Sequence, residues 1–331
     1  MSHHLSLAAT IACALALAAI ATPLYMRAIR DRRLVAEENH RTMHKGAVAI
    51  GGGWPLLGAA LTIALLAWPL PPAGYVVLPA MIALAIVSWR DDVSTLSPAI
   101  RLPVHIAAAA VCMWSLPPDA LVLQGYLPLW LDRLVGGLAL VWFINLYNFM
   151  DGIDGIAGVE TVTIAAGYLL VTLAAGTQAP LHGLVAAVIG ATLGFLVYNW
   201  HRARIFMGDV GAIPLGFLMG WLLFDLAVTH SLAAALILPL YYATDATLTL
   251  AKRIARGEKP WEPHRSHAYQ RAARGLGSHS AVVLRIALCN LVLVGAAVLA
   301  LSQPLTALGI AGLAVAALIA SLEHAARDAP A

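Results

Sequence analysis

Apolar runs close to membrane length follow one another along this whole chain, and they leave few folds open to it. The segments 5–26, 47–69, 73–89, 101–116, 130–148, 158–175, 181–199, 211–228, 231–250, 281–301 and 304–322 carry almost no charge. A helix needs about 20 apolar residues to cross a hydrocarbon core. Soluble domains carry about 25% charged residues, whereas this chain carries 11% charged and 61% hydrophobic residues. One water-surrounded core cannot account for that deficit, but lipid as solvent can. The expected fold is all-α, a polytopic membrane helix bundle of about eleven helices. It forms a single domain over 1–331, with 252–280 as its longest polar loop. Cys13, Cys112 and Cys289 all lie inside apolar runs and read as small buried hydrophobes, neither a disulfide set nor a zinc site.

The placement of charge orients the bundle. The first apolar run has no Lys or Arg before it, while Arg27, Arg30, Arg32 and Arg33 follow it. A cleaved signal peptide has the opposite order, so the run reads as a retained first helix with its N-terminus outside. Threading on from there puts 27–46, 90–100, 149–157, 200–210, 252–280 and the C-terminal tail on one side. Of the 20 Lys and Arg residues, only Arg133 falls on the other. Basic residues stay in the cytoplasm, so these loops and the C-terminus are expected there.

Polar clusters interrupt the apolar runs on that same side. Asp91 and Asp92 are adjacent carboxylates, which repel unless a proton or a cation sits between them. Mg²⁺ takes one or two carboxylates plus phosphate oxygens and water, so the pair suits either the metal or deprotonation of a lipid phosphate. A solvated loop cap beside Arg90 and Arg101 explains it equally well. In Asn145-Leu-Tyr-Asn148-Phe-Met-Asp151-Gly-Ile-Asp154-Gly, four polar residues recur at a spacing of three. On a helical turn they would share one face, and such a stripe belongs on a wet cavity or a polar helix contact, not in lipid. Asp209 opens the eighth run between glycines in Phe206-Met-Gly-Asp209-Val-Gly. There it reads as a helix N-cap or as a site with clearance for a ligand.

Two softer clusters complete the set. The basic loop 252–280 holds His264-Arg265-Ser-His267. Two histidines without a third ligand are weak grounds for zinc, and hydrogen bonding near a diphosphate suits them better. Asp245, inside the ninth run, needs a partner, for which Lys252 or Arg253 is at hand. His44, Lys45 and Gly51-Gly52-Gly53 could bring backbone and counter-charge to a phosphate, or could simply pack helices.

These motifs resemble the polyprenyl-phosphate N-acetylhexosamine-1-phosphate transferases, from the region around Arg41 to the loop ending near Arg274. The residues that carry the resemblance are Asn145 through Ala157, Phe206-Met-Gly-Asp-Val-Gly211, and Asp92-Val-Ser-Thr-Leu-Ser-Pro-Ala-Ile-Arg101. The resemblance implies attack of undecaprenyl phosphate on the sugar-bearing phosphorus of a UDP-sugar, release of UMP, and Mg²⁺ as cofactor (Mn²⁺ as the alternative). It implies metal binding by Asp209 with Asp91 beside it, and a role for Asp92 in activating the lipid phosphate. Asn148 and Asp151 would face the ribose and diphosphate, and Asp154, Asn199 and Phe206 the uridine. Asn145, Lys45 and Arg265 join the substrate-binding set, and His264 and His267 the catalytic set with Asp91, Asp92 and Asp151.

Within the family, the translocase branch carries three consecutive histidines where this chain has His264-Arg-Ser-His267-Ala-Tyr-Gln270. Together with Asp245-Ala-Thr-Leu-Thr-Leu250 and Trp261-Glu262, that loop resembles the O-antigen-initiating branch, which uses UDP-linked N-acetylated sugars. Phospho-MurNAc-pentapeptide transfer for peptidoglycan is the alternative. Gly46-Ala-Val-Ala-Ile-Gly51 lacks the Pro and Arg that relatives carry before the glycines. The expected setting is the bacterial inner membrane with a cytoplasmic active site, a membrane-lipid partner, no nucleic acid, and homodimerisation left open. A CDP-alcohol phosphotransferase would need an Ala-Arg soon after Asp151-Gly152, where Ile153-Asp154-Gly155 stands instead. A secondary transporter would put its acids near the midplane of repeated halves, whereas here they gather at one rim and no repeat shows.

Overall fold

Lipid offers no hydrogen bonds, so a spanning segment must satisfy its backbone internally, and helices do this within one segment. A computed structural model describes residues 5–30, 35–36, 48–177, 180–259 and 264–327 of the chain. Thirteen helices dominate them: α1 (Leu7–Ile29), α2 (Gly53–Ala67), α3 (Pro72–Ser94), α4 (Pro98–Ser115), α5 (Leu129–Phe149), α6 (Ile156–Ala174), α7 (His182–Asn199), α8 (Asp209–Thr229), α9 (Leu232–Ile237), α10 (Leu240–Ala255), α11 (Ala268–Leu276), α12 (His279–Leu299) and α13 (Pro304–Arg327). Nine of them are long and apolar enough to cross a membrane. The chain is a polytopic membrane helix bundle, as its composition implied.

The count of eleven spans changes in two places. The segment 47–69 yields α2, only 15 residues long, which rises roughly 22 Å at 1.5 Å per residue. The chain reaches α2 through an extended stretch, where β2 (Val48–Ala49) pairs antiparallel with β1 (Val35–Ala36) and Ala49 bridges in parallel to Ile205. The expected span 231–250 is broken into α9 and α10 at Leu238-Pro239. Pro239 has no N–H to continue the first helix, and its ring clashes with the preceding turn.

α7 and α8 form the centre, and most of each is buried. α7 packs on α1, α2 and α6, and α8 on α3, α5 and α6. Without a hydrophobic drive between helices in lipid, small residues let backbones approach. Gly190 and Gly194 of α7 meet the Ile11 and Leu15 carbonyl oxygens of α1 directly. The outer helices turn apolar side chains outward instead, with Leu66, Trp114, Leu305 and Leu313 each more than 70% exposed. Polar groups go inward: the fully buried Glu160 of α6 accepts a hydrogen bond from Asn290 Nδ2 of α12 at 2.7 Å.

α11 lies across one end of the bundle, tied down by Asp245. Asp245 accepts the first amides of α11, Ala268 N–H at 3.0 Å and Tyr269 N–H at 3.3 Å, together with the hydroxyls of Tyr241 and Thr249. The expected partners Lys252 and Arg253 are not used. Arg253 turns to Glu258 at 2.7 Å, because a helix N-terminus satisfies a buried carboxylate with directed hydrogen bonds as well as charge. Replacing Gly190 with Val should drive a side chain into the α1 backbone and cost about 1–3 kcal/mol. The check is a lowered melting temperature in detergent, with Gly58→Val, which faces open space, as the unaffected control.

Candidate functional site

α3 and α5 end where α8 begins, and the residues at these helix termini build the first half of the site. Asp91 and Asp92 occupy the last turn of α3, not the loop beyond it. Asp92 Oδ1 accepts the Asp209 N–H at 3.0 Å and Asp92 Oδ2 the Val210 N–H at 3.1 Å. The carboxylate that caps α8 is therefore Asp92, 117 residues upstream, while Asp209 is the first helical residue and keeps its own carboxylate free of capping. Gly208 permits this: its φ is +73°, and a Cβ there would lie 2.8 Å from Asp92 Oδ2. Residue 208 must be small and left-handed for the acid to reach the helix end.

Asp209 Oδ1 accepts a hydrogen bond from Asn148 Nδ2 of α5 at 2.7 Å. Its Oδ2 lies 3.7 Å from Arg101 Nη1, which also binds Asp91 Oδ2 at 2.5 Å. Asp91 is further fixed by the Leu96 N–H at 2.5 Å. Asp151 joins the group electrostatically. Burial, then the charges of Asp209 and Asp154, push its carboxyl up to about 7. Asp91, Asp92, Asp151 and Asp209 thus converge, with Arg101 as the cation between two of them. The donor chemistry here is all oxygen, which suits a hard divalent ion.

The expected stripe of four polar residues does not survive. α5 ends at Phe149, and the chain turns before Gly155, whose φ of +79° starts α6. Asn145 bonds back to Val141 O at 2.7 Å within its own helix. Asp154 takes its hydrogen-bond partners in a second half-site. Its Oδ2 lies 2.8 Å from His201 Nδ1, 3.2 Å from His279 Nδ1 and 3.1 Å from the Ala203 N–H. Burial works against its charge, but the hydrogen bonds from His279 and His201 outweigh that and hold its carboxyl below the usual range. A cavity of 530 Å³ opens here, lined by Asp154, His201, Arg202, Phe206, Arg274 and His279 among others. Phe206 stands in its wall.

Asn199 is buried beside this cavity but does not line it. Its Oδ1 accepts the Gly155 N–H at 3.0 Å and its Nδ2 donates to Ile205 O at 2.9 Å, so it ties the Asp154 turn to the Phe206 segment. The glycines at 51–53 serve the same wall, Gly52 N–H donating to Phe206 O and Gly53 N–H to Met207 O, each at 2.9 Å. Lys45 lies outside the described residues, as do Trp261 and Glu262.

His267 is buried and turned to Asp245 at 3.6 Å, stacked on Tyr269. His264 sits beside it with Nδ1 2.8 Å from Ser266 Oγ. Burial, with His267 and Arg253 nearby, pulls His264 down to about 4, so it is neutral at pH 7. Arg265 is half-buried, and its carbonyl accepts from Arg274. The two histidines reach the acidic half-site through Tyr269, whose hydroxyl donates to Phe149 O at 3.0 Å and abuts Gly152. Arg101, His201 and His279 were not predicted as site residues. Arg101 ends the acid-pair loop and His201 follows Asn199 by two residues, whereas nothing near His279 pointed to a site.

Residues 75–227 match the family model described as Glycosyl transferase family 4. A phospho-N-acetylmuramoyl-pentapeptide-transferase of Moorella thermoacetica is 43% identical over 93 residues, 28% of this chain and 29% of that protein. One of Synechococcus sp. is 32% identical over 208 residues, 58% of this chain and 60% of that protein. The chain spans less than two thirds of the length of either curated relative. The family match takes in Asp91, Asp92, Arg101, Asn148, Asp151, Asp154, Phe206 and Asp209, and is shorter than the stretch from 41 to 274 read from motifs.

A carboxyl raised to about 7 holds its proton more tightly folded than unfolded. In that window the native state binds more protons, so stability falls as pH rises from about 4 to about 7. In EDTA the protein should melt at lower temperature at pH 7.5 than at pH 5, and Asp151→Asn should flatten the difference. An equal slope in the variant would remove Asp151 as its source.

Proposed function

We propose that this chain transfers an N-acetylated sugar-1-phosphate from a UDP-sugar to a polyprenyl phosphate, undecaprenyl phosphate in a bacterial membrane. UMP leaves and a lipid-diphosphate-sugar remains. One observation carries the reading: Asp209 draws together Asn148, the capping carboxylate of Asp92 and Arg101, which also pairs with Asp91, while Asp151 feels the charges of both Asp209 and the cavity-lining Asp154. Phosphoryl transfer asks for positioning and charge neutralisation more than for covalent help, and this site offers both. The basic loops support a cytoplasmic site with the N-terminus outside.

The residues divide the work as follows. Phe206 offers a face for uracil, with Asp154 as acceptor for a base or ribose donor. Arg202 and Arg274, at the cavity, face the diphosphate. Phosphate monoesters have a second pKa near 6, so the lipid phosphate is largely dianionic at pH 7. Asp92, with both oxygens on α8 amides, positions Asp209 more than it takes a proton. Asp209 and Asp91 would hold Mg²⁺, with Asp151 close by. When bound, the ion neutralises the diphosphate as a Lewis acid.

The names of both relatives support phospho-MurNAc-pentapeptide transfer over O-antigen initiation. The O-antigen reading rests on His264-Arg-Ser-His267 in place of three consecutive histidines, with His267 Nδ1 3.6 Å from Asp245. A panel of radiolabelled UDP-sugars, including UDP-MurNAc-pentapeptide and UDP-GlcNAc, with undecaprenyl phosphate in detergent, separates the two. An organic-soluble product that needs Mg²⁺ and appears with UMP supports the transfer reading, and its sugar names the branch. No product with any donor rejects it.

Asp209→Ala should abolish transfer while the protein stays inserted and folded by melting temperature. Retained turnover would exclude Asp209 as a metal ligand. Phe206→Ala should raise the UDP-sugar KM by roughly 5- to 30-fold, corresponding to about 1–2 kcal/mol of lost stacking. An unchanged KM would discredit the uracil contact.

A further inference from the structure

We propose that Asp154, His201 and His279 form a binding site for a borderline-soft divalent cation such as Zn²⁺ or Co²⁺, separate from the oxygen-only acid cluster. Three parts of the fold supply the ligands: Asp154 from the turn before α6, His201 from the segment after α7, and His279 from the first position of α12. One donor atom from each lies within 4.8 Å of the others. Ligands bonded at 2.0–2.2 Å on a tetrahedral ion stand about 3.3 Å apart. The two imidazole Nδ1 atoms lie 2.8 and 3.2 Å from Asp154 Oδ2, so a modest outward breathing accommodates an ion.

His279 Nδ1 also lies 3.4 Å from the Asp154 backbone N–H, so this imidazole meets Asp154 at both its backbone and its carboxylate. The surrounding shell is already built. The Ala203 N–H fixes Asp154 Oδ2 at 3.1 Å, and Asn199 clamps Gly155 to Ile205 across the turn, as outer partners do at metal centres. Imidazole with carboxylate selects Zn²⁺-like ions, while Mg²⁺ prefers oxygen alone. His201 is about one-quarter exposed and the cavity leaves a further coordination position open. Because Asp154 belongs to the donor cavity, metal bound there withdraws its carboxylate from the donor. The site therefore acts as an inhibitory switch, a consequence that rests on the transfer reading above.

The experiment uses full-length protein in detergent, freed of any polyhistidine tag, in Mg²⁺ buffer. Titration with Co²⁺ is followed by visible d–d absorption and by metal content after desalting. One equivalent is expected, displaced by Zn²⁺ but not by excess Mg²⁺. Affinity should fall roughly tenfold or more in His279→Ala and in His201→Gln. The glutamine variant keeps a hydrogen-bonding side chain outside the helices, so it tests ligation even if His279→Ala folds poorly. Absence of Co²⁺ binding in the wild-type protein overturns the proposal, as does binding that both variants retain. This arm needs no transfer assay, so its failure is distinct from failure of the enzymatic reading. Where transfer is measurable, Zn²⁺ should raise the UDP-sugar KM in the wild-type protein and lose that effect in His201→Gln. Inhibition of equal strength in both overturns the inhibitory role.

Discussion

The carboxylate of Asp92 on the first two amides of α8 is the interaction from which the rest of the site follows. A helix start buried at a membrane rim leaves N–H groups that need partners, and here the partner comes from the end of another helix. The pairing locks α3 to α8 and frees Asp209 to face Asn148 and Arg101. Because the cap is itself an acid, it adds charge to the cluster while satisfying the backbone. Arg101, paired with Asp91 and 3.7 Å from Asp209, offsets part of this concentration of carboxylates.

The second organising contact is Asp245 beneath α11. It repeats the same physics, a buried carboxylate on a helix N-terminus, and anchors the segment that closes the rim. Through Tyr269 that segment reaches the Phe149 carbonyl and the Gly152 turn, so the loop after α10 is mechanically linked to Asp151. His267 packs on Tyr269 and faces Asp245 within this linkage. The site thus has two compartments joined by one turn, with hard oxygen donors on the Asp151 side and imidazoles on the Asp154 side.

Much of this was readable in advance. Long uncharged runs can only be membrane helices, and the acids fell at one end of them once charge asymmetry set the threading. Asp91, Asp92, Asp151 and Asp209, which the motifs singled out, lie near one another in the fold, and Phe206, which the family resemblance assigned to the uridine, lines a cavity. Other readings failed for identifiable reasons. A spacing of three between Asn145, Asn148, Asp151 and Asp154 implies one face only while the helix continues, and it ends at Phe149. Local proximity favoured Lys252 or Arg253 for Asp245, but directed backbone amides from 23 residues onward took the role. Pro239 was visible as a helix breaker within an apolar run, yet hydropathy smooths over a single residue.

Residue types and their order along the chain settle the solvent this protein lives in, its helical class, and which side chains are too polar to face lipid. Those are properties of segments about 20 residues long, set by transfer free energies that each segment carries wherever it sits. Which acid caps and which stays free, why Asp154 parts from Asp151, and how His201 and His279 come to share one carboxylate oxygen are matters of relative helix placement. They depend on contacts between residues as much as 125 positions apart, created by close helix packing around α7 and α8, and no local pattern encodes such distances.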